Sequence, residues 1–128
     1  MSTKRITLKL LLGIGFVIGT VIAAVDHFAF HGEASPIIIV AMLLATTLLL
    51  GWIFGGHGWP ASAMVWVCVP LTHLIKHMLG LPDTLHPNTC ASILMLAVFT
   101  FVIAAFGSSC GFILHRLTHS TNGSLSAA

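Results

Sequence analysis

Between Pro36 and Phe54 the chain carries no charged side chain, and three other stretches are almost as bare. Residues 6–30 hold only Lys9 and Asp26, residues 60–79 only Lys76, and residues 89–117 only Arg116. Each stretch has close to the ~20 residues that an α-helix needs to cross a bilayer core. Such segments leave nothing from which to build a water-facing surface. The chain of 128 residues has five basic and three acidic side chains against 57% hydrophobic residues. A soluble domain gives about a quarter of its residues to charge. Mean hydropathy is +1.05. The sequence therefore predicts an all-α integral membrane protein, an antiparallel bundle of four transmembrane helices over about 6–30, 36–54, 60–79 and 89–117. These make one domain, residues 1–118, and the small polar residues 119–128 are expected to form a disordered tail.

The punctuation between the runs supports these boundaries. In "HGEASP", Ser35 is placed to cap a helix and Pro36 to open it. "GGHGWP" is too rich in glycine to continue a helix, and Pro60 starts the next. "GLPDTLHPN" is a loop with two prolines. The first apolar run, after the basic start "KRITLK", is longer than the roughly 7–15 residues of a secretory signal core, so it reads as a retained helix. Lys and Arg set the orientation. With four spans both termini share a side, which carries Lys4, Arg5, Lys9 and Arg116, against Lys76 alone opposite. Both termini are expected in the cytoplasm, in a membrane of the bacterial inner-membrane type. Trp52 and Trp59 flank the "GGHG" turn and suit an interfacial anchor. A net charge of +2, scattered over membrane ends, gives no surface for nucleic acid.

The eight histidines are the unusual feature. His27/His31, His73/His77 and His115/His119 share the spacing H-x-x-x-H, which sets two imidazoles on one helix face a turn apart. In the expected topology His27, His31, His73, His77 and the loop residue His86 gather at the outer end, and His57, His115 and His119 at the inner end. "DHFAFHGE", residues 26–33, adds two of the three acids, Asp26 and Glu33, to the outer group, and Asp83 is the third. Gly15, Gly19, Ala23, His27 and His31 recur at every fourth position. Small residues in such a stripe let helices approach, so the histidines that continue it are expected to face the bundle. Helix 4 repeats the pattern with Gly107, Gly111, His115 and His119. Trp66 is read as packing, and Pro70 as a kink in helix 3.

Imidazole with carboxylate suits zinc, copper, nickel or iron. The expected metal ligands are His27, His31, His73 and His77. Asp26, Glu33, Asp83 and His86 are further ligands or groups that orient one. Lys76 opposes a cation on that face and can instead pair with Asp26 or Glu33. A haem held by one histidine from each of helices 1 and 3, or a chlorophyll-type pigment on a single histidine such as His73, is the alternative cofactor. The same placement has a simpler source, because helix C-termini favour histidine and membrane interfaces favour amphipathic side chains. Cys68, Cys90 and Cys110 have neither CxxC nor metal-ligand spacing, and no obligatory disulfide is expected. No nucleophile–base set, HExxH or phosphate loop is present, so no enzyme is expected. Three readings stand: a metal-binding membrane protein; a non-catalytic accessory subunit of a larger membrane complex or homo-oligomer, pigment- or haem-bearing in one form; and a small metal-ion or proton-coupled transporter.

Overall fold

A computed structural model describes residues 2–28, 36–81 and 90–127. Among them every regular element is helical: α1 (Ser2–Phe28), α2 (Pro36–Phe54), α3 (Trp59–Met78) and α4 (Cys90–Ala127), with a 3-10 turn over Gly55–Gly58. Three helical stretches are long and apolar enough to cross a membrane: Thr7–Asp26, Ile37–Met78 and Cys90–Ala127. The second of these contains α2, the 3-10 turn and α3. The chain folds back there. Gly55 has φ +57°, a left-handed conformation that suits glycine, and Gly58 lies directly on the Leu50 carbonyl of α2. α2 and α3 consequently run side by side in opposite directions.

The closest packing joins helices that run the same way. α1 packs chiefly on α3, and α2 chiefly on α4. Small residues make both approaches. On α1, Gly15 abuts the Ala61 backbone, and a Cβ on Gly19 would stand 2.7 Å from Cys68 and 3.2 Å from Val65. On α4, Gly107 meets Thr47 and Leu44, and Gly111 meets Leu48, Gly51 and Trp52. The two glycine stripes of the sequence thus face neighbouring helices. α3 also packs along α4, where Trp66 bridges the pair. α3 runs unbroken through Pro70, which is buried.

Ile22, Leu43 and Val65 are fully buried at the centre. The buried hydroxyls of Thr47 and Thr100 are satisfied within their own helices, donating to the Leu43 and Leu96 carbonyls, both at 2.8 Å, whereas those of Ser62 and Ser108 have no partner among the described residues. The outside is apolar, with Phe16, Val17, Met95, Val98, Phe106 and Ile113 all exposed. Trp52 and Trp59 are partly exposed beside the 3-10 turn. Such an apolar outside is consistent with a membrane location.

The last helix differs from expectation. The sequence suggests an end near residue 117, and α4 runs on to Ala127 with residues 119–127 exposed. The segment has no proline to stop it. Its hydroxyls bond back to the preceding turn, Thr121 to the Leu117 carbonyl at 2.9 Å and Ser124 to that of Thr121 at 2.8 Å.

Candidate functional site

The parallel approach of α1 and α3 brings their C-terminal ends level. There Asp26 and His73 meet. The His73 Nε2–H donates to the Asp26 Oδ2 at 2.9 Å. His73 is 3% exposed, and the Asp26 side chain 15%. A carboxylate only accepts hydrogen bonds, so this contact keeps a proton on Nε2 and, in a neutral ring, leaves the lone pair on Nδ1. Asp26 was expected either as part of a histidine centre or as a partner for Lys76. The structure gives it to His73, with Lys76 half-buried one turn beyond.

His77, the other histidine of the pair on α3, turns to a residue that spacing did not single out. Its Nε2 lies 3.6 Å from the Cys90 Sγ, at the first turn of α4. The sequence placed Cys90 at a helix start, but the intervening loop left its register against α3 open. His27 belongs to α1, but its side chain lies outside the described residues, as do His31, Glu33, Asp83 and His86. Among the described residues no three His, Cys, Asp or Glu side chains gather around one point. The described part of the cluster is two pairs, Asp26–His73 and His77–Cys90, on successive turns of α3. All three cysteines are free thiols.

At the opposite end of the bundle His115 continues the α4 stripe. Its Nδ1–H donates to the Trp52 carbonyl at 2.7 Å, and its ring sits against Gly55. The His119 ring follows, its centroid 4.4 Å away and its plane tilted 50°. The neighbouring Arg116 guanidinium stands 5.1 Å over the Phe112 ring. His57 is exposed on the 3-10 turn.

Between α1 and α3 an apolar groove of about 330 Å³ is lined by Phe16, Phe28, Leu71 and Ile75, with Thr20 and Thr72. Both threonine hydroxyls are committed to carbonyls of their own helices, at 2.7 Å. The groove thus offers little to a polar substrate. No family model, curated protein or solved structure matches the chain.

Proposed function

We propose that this chain is a membrane protein that crosses the bilayer four times, with both termini cytoplasmic, and that its outer end carries a histidine/carboxylate centre for a transition-metal ion. The reversal at Gly55–Gly58 supports two crossings between Ile37 and Met78. α2 has 19 residues and α3 has 20, each about 30 Å at 1.5 Å per residue, the thickness of a bilayer core.

The observation that carries the metal reading is the buried Asp26–His73 bond. Ionisable side chains at membrane depth are costly, and their usual reason is function. A carboxylate that holds one imidazole nitrogen fixes the tautomer and aim of a metal-binding histidine. His77 and Cys90 stand one turn on, and His27, His31, Glu33, Asp83 and His86 adjoin the site in sequence. Imidazole, thiolate and carboxylate together select zinc, copper, nickel or iron over magnesium or calcium. The protein binds and does not catalyse in this reading.

Elemental analysis and an absorption spectrum of tag-free protein, purified at neutral pH, test it. The wild type carries or takes up one of these metals. Asp26→Asn keeps an acceptor for the His73 N–H and removes the charge, so it weakens the metal about 10–100-fold while the melting temperature stays within a few degrees. A protein that holds no metal or haem, and takes up neither, refutes the proposal. A second reading takes the same contact as structural: a stitch between α1 and α3 in an accessory subunit of a larger complex. Interhelical hydrogen bonds in membranes are worth about 0.6 kcal/mol on average and up to about 1.7. On that reading Asp26→Ala loosens assembly and metal has no effect.

A further inference from the structure

We propose a second ion site at the other end of the bundle, a two-imidazole clamp formed by His115 and His119 for a borderline divalent ion such as zinc, nickel or copper(II). It is independent of the Asp26–His73 centre and uses none of its residues.

The first support is the state of His115. Its Nδ1 contacts a backbone carbonyl, which can only accept, so Nδ1 bears the hydrogen and the neutral ring presents its lone pair at Nε2. That carbonyl belongs to Trp52, in the last turn of α2, where carbonyls have no partner within the helix. The bond therefore satisfies an orphan group and fixes the ring at once. A backbone carbonyl on the far nitrogen is a standard support for a metal-binding histidine.

The second support is how closely the ring is held. Gly55 packs against the His115 ring, where a Cβ would stand 2.7 Å from Cδ2 and 2.9 Å from Nε2. Only glycine lets the ring take this position, and φ +57° suits glycine too.

The third support is the pair itself. His119 follows one turn later on the same face, with ring centroids 4.4 Å apart. Two nitrogens that share an ion at about 2.0–2.1 Å each lie roughly 3 Å from one another. With His115 held by Trp52, the exposed His119 side chain is the one that turns to share the ion. Arg116, the nearest cation in sequence, is drawn over Phe112. No acid stands near in sequence, since the three acids are Asp26, Glu33 and Asp83. A site of neutral imidazoles without carboxylate favours zinc, nickel and copper and gives little hold to magnesium or calcium. Water fills the remaining coordination positions.

The test is calorimetric titration of tag-free full-length protein in detergent with Ni²⁺, and with Mg²⁺ as the control. A copper(II) electron-resonance spectrum reports nitrogen ligation. We expect a Ni²⁺ site that persists in Asp26→Asn. It should weaken roughly tenfold or more in His115→Ala and in His119→Ala, because loss of a direct ligand costs at least what loss of a supporting group does. Mg²⁺ should give no signal. His119 is exposed, so His119→Ala leaves folding intact, and an unchanged melting temperature verifies it. Equal Ni²⁺ affinity in the wild type and in the His115→Ala/His119→Ala double variant overturns the proposal, as does absence of any site that survives Asp26→Asn. Loss of binding in Asp26→Asn with none in the inner variants would uphold the outer centre and sink this one.

Discussion

Trp66 shows how a polar atom is accommodated between apolar helices. Its indole N–H donates to the Ala97 carbonyl at 2.9 Å and to the Thr100 hydroxyl at 3.1 Å, and its ring meets Phe101 edge-on at 5.1 Å. Trp66→Phe removes the donor and keeps most of the apolar contact. It should therefore cost about 0.5–1.5 kcal/mol, read as a lowered melting temperature in detergent, and Trp66→Ala should cost clearly more. The sequence identified Trp66 as packing, and its hydrogen bond was illegible because the bond depends on the register of α4. Asp26 carries a similar lesson. Positions four apart drift by about 40° per step on a helix of 3.6 residues per turn. Asp26, eleven residues after Gly15, returns to within about 20° of it. The helical period thus sets Asp26 on the face that meets α3 at His73, which a strict count of fours does not single out.

Short connections made antiparallel neighbours the natural expectation, and α2 and α3 are such a pair. The tightest packing nevertheless joins parallel helices, α1 with α3 and α2 with α4. Loop length says which helices alternate in direction, but not which diagonal of the bundle is short. The glycine stripes do carry that information, because backbones approach where side chains are smallest. Position within the stripe then decides the effect of substitution. Gly19→Leu places a side chain where even a Cβ stands 2.7 Å from Cys68, and it should separate α1 from α3 with a large loss of thermal stability or of assembly in detergent. Gly13, six residues earlier on the same helix, has nothing within 4 Å of an added Cβ. Gly13→Ala should be neutral or stabilising by up to about 1 kcal/mol, the helix-propensity difference. Thermal melts of the two variants side by side separate a packing role from simple helix propensity. Equal behaviour would mean that α1 does not dock on α3 through this face.

Over the whole molecule, the direction of the helices places the two histidine pairs at opposite ends. Asp26, His73, His77 and Cys90 lie where α1 and α3 finish, and His115 and His119 lie beside the α2–α3 turn. Which end faces which compartment rests on four Lys and Arg residues against one. Cys90 makes the assignment measurable, because it is exposed while Cys68 is buried. In a chain with Cys68 and Cys110 replaced by alanine, a membrane-impermeant maleimide added to intact cells should label Cys90 from outside. A reporter that works only in the cytoplasm, fused after Ala128, should be active in the same chain. Labelling that appears only after the membrane is permeabilised would invert the bundle. The Asp26–His73 centre would then face the cytoplasm and the His115–His119 pair the outside. An inverted bundle would leave both sites' chemistry unchanged, since each is built from contacts within the chain, but would exchange the pools of ion available to them. Sidedness and ion binding are therefore separable measurements, and the maleimide result decides which compartment each proposed site faces.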